Sequence, residues 1–463
     1  MKQSPAPQGL EPLSTAQTLP LPTRPRPIRP GVRLLIRGRS MHLRGLRHAP
    51  TGLLRWVLIF GPGLIATSAG NDAGGIATYS AAGARYGYAL IWVMLLLTVS
   101  LAVVQEMCAR LGAATGRGLL DLIRERFGLG WTLCAMGVIL IANGGLIVSE
   151  FVGIGAAMEL LGISKYVAIP LGAALLWYLV IFGSYVHVEK VFLGMTLVFL
   201  AYPAAAIMAQ PHWADVARGA LWPTVHREAD YIVLLVGLLG TTITPYMQLF
   251  QQSSLVEKGV ARRHYGPERI DTYVGATFSN LMSICMIIAT AATLHVVGHT
   301  DITTAADAAR ALEPVVGRAA GGLFAVGLLG ASLLAGAVLP LATAYAVSEA
   351  FGIPKGINLD LRRARFFFRL FTLLILFGAG WALLPNVPVI QLLVGMQVLN
   401  GVLLPIILVF ILRLINDERL TGALKNTRLY NILGWGTWAL ITTAVVLMLG
   451  SQCLEMFGRS PTR

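Results

Sequence analysis

Two short polar stretches, each set inside an otherwise apolar run, hold the residue types that could do chemistry in this chain. The first reads Thr67-Ser68-Ala69-Gly70-Asn71-Asp72-Ala73-Gly74-Gly75, the second Thr241-Thr242-Ile243-Thr244-Pro245-Tyr246. With both runs crossing a bilayer, Asp72 places a carboxylate near its centre, which costs about 2.5–3.5 kcal/mol for an ionised side chain. A cation, a proton or a basic partner must offset that cost. No Lys or Arg falls in the middle of any apolar run, which leaves a cation or proton site. Capping of the half-helix that follows is the plainer reading, and the two roles are compatible. Gly74 and Gly75 let the backbone turn its carbonyls towards such a site, although tight helix packing through Gly70 and Gly74 would also explain glycine there.

The second stretch offers neutral oxygens. Pro245 has no N–H, so it frees carbonyls one turn earlier, near Thr241 and Thr242. Such oxygens are hard ligands for Mg²⁺, Ca²⁺ or Mn²⁺. The Thr244 hydroxyl either joins them or bonds back to its own helix. Gln248, Gln251 and Gln252 extend the polar character, as a wet path or as hydrogen bonds to neighbouring helices. Further polar residues stand in apolar runs: Glu150, Gln397 and Asn400. Glu150 reads as a proton-accepting or water-linked carboxylate, with a neutral structural Glu as the alternative, and Gln397 offers an amide oxygen. Glu106 and Arg110, four apart, read as an ion pair on a helix surface. The histidines form no ligand spacing. Cys108, Cys134, Cys285 and Cys453 lie in apolar stretches without CxxC spacing, as buried packing residues rather than a disulfide or metal framework.

The elements that position these residues follow from composition. Of 463 residues, 56% are hydrophobic and 13% charged, against about 25% charged in soluble domains. That excludes an ordinary soluble enzyme and an extended disordered chain, and predicts an all-α polytopic membrane protein. Apolar segments of spanning length run at 54–88, 89–113, 131–161, 166–185, 190–210, 231–256, 272–297, 320–350, 366–384, 387–413 and 430–452, about 11 transmembrane helices. The first and sixth are the interrupted ones. Standing five apart, they occupy matching positions in two inverted five-helix repeats. Paired broken spans of this kind mark the substrate site of a secondary transporter, because backbone unwound at membrane depth survives only where it is buried in protein or lines a cavity. The expected organisation is a disordered basic cytosolic leader at 1–52, repeats at 53–210 and 211–414, and an additional span with its tail at 415–463.

The formal charge of +14 invites a nucleic-acid reading, which the placement of the basic residues removes. Ten Lys and Arg lie in residues 1–55, and the others fall mostly in blocks between spans, with no binding module. An inside N-terminus puts 28 of the 36 in the cytosol and 8 outside, as the positive-inside rule requires. Eleven spans then leave the C-terminus outside, in a protein of the plasma (inner) membrane whose partners are the lipid bilayer and a transported ion, with no nucleic acid and no cofactor. Residues 1–30 carry eight prolines and no apolar core of a signal peptide.

Gly61-Pro62-Gly63, followed nine positions later by Asp72-Ala73-Gly74-Gly75, resembles the first-span signature of the Nramp (natural resistance-associated macrophage protein) divalent-metal transporters, GPG, eight residues, then DPGN. The likeness extends to Gln105 through Gly116, to Ser149-Glu150-Phe151-Val152-Gly153, and to Gln397 with Pro405 eight residues on. It implies the inverted-repeat fold shared with leucine-type amino-acid transporters and uptake of a divalent metal by alternating access. It also implies a metal site at Asp72, Gly75, Thr241, Thr244 and Gln397, helix breaks at Gly74 and Pro245, and a proton or water path through Glu150 and Gln251. The departures are specific. Gly75 stands where the family has Asn, Thr244 where it has Met, Tyr246 where it has His, and Ile147 where it has an Asp three before Glu150; Gln251 falls near a second His. The chain therefore resembles the magnesium-transporter-like branch, with Mg²⁺ and/or Mn²⁺ favoured and weak or absent proton coupling. An amino-acid transporter of the same fold is the alternative. A metal sensor without flux stays open, and no HExxH, GxSxG or nucleotide-binding loop supports an intramembrane enzyme.

Overall fold

Inside a bilayer every backbone N–H and C=O must be satisfied within the protein, so long apolar runs are forced into helices. The computed structural model describes residues 31–36, 39–44, 62–183, 185–226, 228–260, 265–298, 320–359, 361–385 and 387–458, with isolated positions 262, 300, 302, 307 and 308. Residues 1–30 of the basic leader, and 54–61 at the expected start of the first span, lie outside them. The chain divides into Met1–Val57 and Leu58–Arg463. In the first unit, β1 (Gly31–Ile36) pairs antiparallel with β2 (Arg39–Arg44), with Val32 opposite Leu43 and Leu34 opposite Met41. This stretch of the leader thus holds strand pairing where the sequence reading expects disorder; its period-two alternation of apolar residues is the signal.

The second unit is helical. Its elements are α1 (Pro62–Ala69), α2 (Ala73–Tyr86), α3 (Ile91–Thr115), α4 (Leu119–Phe127), α5 (Leu129–Leu160), α6 (Lys165–Phe182), α7 (Tyr185–Thr196), α8 (Ala201–Met208) and α9 (Trp213–Leu221). They continue as α10 (Ala229–Thr242), α11 (Pro245–Lys258), α12 (Tyr265–Thr290), α13 (Ala320–Phe351), α14 (Arg365–Ala382), α15 (Val389–Ile415), α16 (Glu418–Thr421) and α17 (Arg428–Gly458). Among the described residues ten helices are long and apolar enough to cross a membrane. The first expected span, 54–88, is not in that count: residues 54–61 lie outside the described residues, and its described part is α1 and α2 on either side of Asp72. Large apolar side chains face outward along these helices, among them Leu171 at 66% and Leu373 at 62% exposure. That is costly in water and suits lipid.

Packing ties the described part of the first span to α12. Pro62 opens α1, where its missing N–H costs nothing. The next two N–H groups, of Gly63 and Leu64, donate to the Asp271 carboxylate at 2.7 and 3.4 Å, a cap supplied by α12. The two helices touch backbone to backbone: a Cβ on Gly275 would lie 2.8 Å from the Gly63 carbonyl and the Leu64 Cα. Elsewhere α13 lies along α5, and α10 along α15.

Two readings of isolated residues need correction. Glu106 and Arg110 do pair, at 3.1 Å, but both are buried rather than on a surface. Glu106 also meets Arg269 at 3.3 Å and accepts from the Tyr265 hydroxyl at 2.8 Å, so it joins α3 to α12. Arg110 reaches on to the Leu424 carbonyl and Asn426. Helical spacing alone could not show that other chain segments cover that face. Of the four cysteines, Cys108 is buried and Cys285 half-buried, whereas Cys134 and Cys453 are exposed. The packing role holds for the first.

Candidate cation site

Each break is built by a residue that cannot continue a helix. After Ala69 the chain makes a turn, with Gly70 N donating to Thr67 O and Asn71 N to Ser68 O, and Asp72 in extended conformation then caps α2. In the sixth span Ile243 N donates to Leu239 O at 3.1 Å. Thr244 is extended, at φ −78° and ψ 144°, as a residue before proline prefers, and Pro245 opens α11. Thr241 C=O would have found its helical donor at residue 245, which is proline. That carbonyl has no N–H of its own helix to accept from.

The two breaks meet around Asp72. Its Oδ1 accepts from Gly75 N at 2.5 Å and from Gln397 Nε2 at 2.8 Å. Its Oδ2 is buried and has no hydrogen-bond partner among the described residues. One oxygen of this carboxylate therefore caps the helix and the other is left without a donor. A buried polar atom left unpaired costs about 1–3 kcal/mol, and more when charged; a positive ligand removes that cost. Thr244 Oγ1 is likewise buried without a partner among the described residues. The reading in which Thr244 bonds back to its own helix is not what the structure contains. Thr241 Oγ1 donates to Gly70 O at 3.4 Å, and Tyr246 Oη to Ala69 O at 2.6 Å, so hydroxyls of the sixth span hold the carbonyls freed in the first.

Gly75 is the point of closest approach. A Cβ there would lie 2.9 Å from both Gly70 O and Thr241 Oγ1 and 3.2 Å from Asp72 Oδ1. At Gly74 a Cβ would collide with the Gln397 amide, so helix packing does explain this glycine, with a binding residue as the neighbour. Gln397 itself is arranged differently from the sequence expectation of an amide oxygen facing the ion. It turns its NH₂ to Asp72, while its Oε1 accepts from Asn400 Nδ2 at 3.3 Å.

Glu150 stands beside this centre. Its Oε2 accepts from Ala73 N at 3.2 Å and its Oε1 from the Ser149 hydroxyl at 3.3 Å, so it is a second cap on the same half-helix that Asp72 caps. Gln251 is not brought to Asp72 by any hydrogen bond: its Nε2 donates to Thr272 Oγ1 at 3.0 Å on α12. Gln252 similarly donates to Arg117 O at 2.9 Å, and Gln248 to Thr244 O at 3.4 Å. Gln251 and Gln252 thus bond other segments and Gln248 its own helix, while the amide oxygens of all three are buried without a partner among the described residues.

Sequence reasoning passed over a polar layer next to the breaks. Asn71 Nδ2 donates to Ser279 O at 2.9 Å and its Oδ1 accepts from Ser283 Oγ at 2.7 Å, while Tyr79 Oη lies 3.4 Å from Thr242 Oγ1. These residues line a narrow polar crevice together with Thr241 and Asn280. Ser279 and Ser283, four apart on one helix, were the available signal. Among the described residues no three His, Cys, Asp or Glu side chains converge. The groups that meet at Asp72 are a carboxylate and neutral oxygens, which suit a hard cation, and the Met247 thioether packs against Gly70 in the same break.

Comparison with known proteins agrees with this geometry. The family described as natural resistance-associated macrophage protein-like matches residues 63–451. A divalent metal cation transporter MntH of Ralstonia nicotianae is 33% identical over 435 residues, covering 87% of this chain and 93% of its own. MntH 1 of Pseudomonas aeruginosa is 31% identical over 418 residues, covering 86% and 92%. Among solved structures, a manganese transporter of Eremococcus coleocola superposes with a TM-score of 0.70 at 18% identity, covering 89% of this chain and 91% of that one. MhsT in complex with L-phenylalanine does so at 0.56 and 14%, covering 88% and 99%. The last two establish the leucine-transporter-like fold.

Proposed function

The chain belongs to the natural resistance-associated macrophage protein (Nramp) family, and on that premise we propose that it is a secondary transporter carrying divalent metal cations, Mg²⁺ and Mn²⁺ foremost, into the cytoplasm by alternating access. One observation carries the reading: Asp72 Oδ2, buried between two broken helices, has no hydrogen-bond partner among the described residues. The cation is held by that oxygen, the Thr241 carbonyl, the Thr244 hydroxyl and the Gln397 amide oxygen, which reaches it once that amide exchanges its ends. Mg²⁺ keeps several of its six ligands as water. A site with one carboxylate at the break and a hydroxyl at Thr244, where the family has a thioether, suits a partly hydrated ion.

The placement of basic residues supports a cytosolic N-terminus, with α1 and α11 as the inner half-helices and α2 and α10 as the outer ones. Proton coupling is weak or absent, because Ile147 and Gln251 carry no titratable group and Glu150 is engaged as a helix cap. An amino-acid substrate is disfavoured, since Asp72 would repel its carboxylate. The test is Mn²⁺ and Mg²⁺ uptake into proteoliposomes holding the wild type or Asp72→Ala. Saturable uptake that the substitution abolishes supports the reading. Undiminished uptake by a folded Asp72→Ala protein removes Asp72 from the site.

A further inference from the structure

A carboxamide has a donor end and an acceptor end of nearly equal size, so half a turn about its last torsion exchanges them with little change in shape. At the candidate site Gln397 presents its donor end to Asp72, at 2.8 Å. A cation at Asp72 needs the other end, since an NH₂ group repels it and Oε1 is a ligand. The amide's NH₂ thus faces the carboxylate, and it must turn for its oxygen to meet a cation there. After the turn its NH₂ points the other way, towards Asn400, three residues along the same helix.

Asn400 is equipped for both positions. It is fully buried, its Nδ2 donates to Gln397 Oε1 at 3.3 Å, and its Oδ1 has no hydrogen-bond partner among the described residues. We propose that Asn400 is the positioning residue that lets Gln397 change ends, giving a donor to its oxygen when the site is empty and an acceptor to its NH₂ when a divalent cation is bound. An apolar side chain could do neither. The two bonds differ in strength. The resting one is long, whereas an amide whose oxygen is drawn to a divalent cation becomes a stronger N–H donor. Losing Asn400 therefore costs the bound state more than the empty one, and the loss is read as weaker affinity.

This inference rests on the proposed cation site at Asp72, and the experiment separates the two. Mn²⁺ and Mg²⁺ binding to the purified full chain is measured by calorimetry, and uptake in proteoliposomes, for the wild type, Asp72→Ala, Asn400→Leu, Asn400→Ala and Asn400→Asp. Asn400→Leu and Asn400→Ala are expected to weaken affinity about tenfold, the worth of one charge-strengthened hydrogen bond, as a rise in KM with the maximal rate held within about a factor of two. Asn400→Asp keeps the acceptor and is expected to bind at least as tightly as the wild type. Alanine, which adds no bulk, serves where leucine disturbs folding. Wild-type affinity in either apolar variant overturns the inference, as does an Asn400→Asp protein that folds and binds as weakly as they do, since a packing role alone would then suffice. Retained binding in Asp72→Ala, by contrast, overturns the site reading beneath it.

Discussion

The two broken spans solve the same backbone problem in different ways. At the first, side chains cap the helix that restarts: Asp72 takes Gly75 N and Glu150 takes Ala73 N. At the sixth, Thr244 occupies the capping position and makes no side-chain cap; proline covers one orphan position by lacking the N–H. The first break is thus a charged, tightly tied centre, and the second a neutral one with a hydroxyl and a carbonyl to spare. On the proposed site, the contrast predicts a division of labour, with affinity set at the first break and choice of ion at the second.

The largest expected effect breaks that division at its charged side. Asp72→Ala should reduce Mn²⁺ uptake in proteoliposomes by more than about a hundredfold, whereas Thr244→Ala, at the neutral break, should cost less than about tenfold. Each 1.4 kcal/mol is a factor of ten, and removing the carboxylate whose oxygen is left unpartnered forfeits several. Equal losses would mean that the two breaks contribute alike.

Next comes the point where the breaks touch. Gly75→Ala inserts a Cβ within 2.9 Å of Gly70 O and Thr241 Oγ1, so it should force the breaks apart and cut uptake roughly tenfold through KM, on the scale of an overpacked core at about 1–3 kcal/mol. Wild-type KM in a Gly75→Ala protein would show that the breaks have slack there.

At the neutral break Thr244→Met should change preference rather than total activity. A thioether favours softer metals over Mg²⁺, so the ratio of Cd²⁺ or Fe²⁺ to Mg²⁺ uptake is expected to rise several-fold. An unchanged ratio in competition assays would place the choice of ion elsewhere.

The smallest effect concerns Glu150. Glu150→Gln keeps an oxygen for Ala73 N and removes the charge. Metal flux is expected to stay within about threefold, and an internal pH dye to record no metal-driven acidification before or after the change. Acidification that follows the rate of metal entry in the wild type, and disappears in Glu150→Gln, would make Glu150 a proton carrier instead of a cap.

Much of this was legible because it is local. Glycines around Asp72 and a proline after Thr244 announce where a helix must stop, and a long apolar run announces a span, without knowledge of any neighbour. What depends on other segments was hidden. The burial of Glu106 by Arg269 and Tyr265, the turning of the Gln397 NH₂ rather than its oxygen to Asp72, and the Gln251 bond to Thr272 are each set by a residue from another helix. Asn400 was visible as a polar residue in an apolar span, and its partner Gln397 stands three before it on the same helix; what the sequence hid is that Asp72 on another helix orients that amide. The polar layer of Asn71, Ser279 and Ser283 lay within reach, since two serines four apart share a helix face.

The central claim is that one carboxylate and neutral oxygens make a site for hard, partly hydrated ions. It is tested most directly by Mg²⁺ uptake into proteoliposomes holding the full chain, with Mn²⁺ and Cd²⁺ as competitors. The account predicts saturable Mg²⁺ entry at millimolar concentration, inhibited by Mn²⁺ in a similar range. Exclusion of Mg²⁺ together with avid uptake of Cd²⁺ or Fe²⁺ would contradict it.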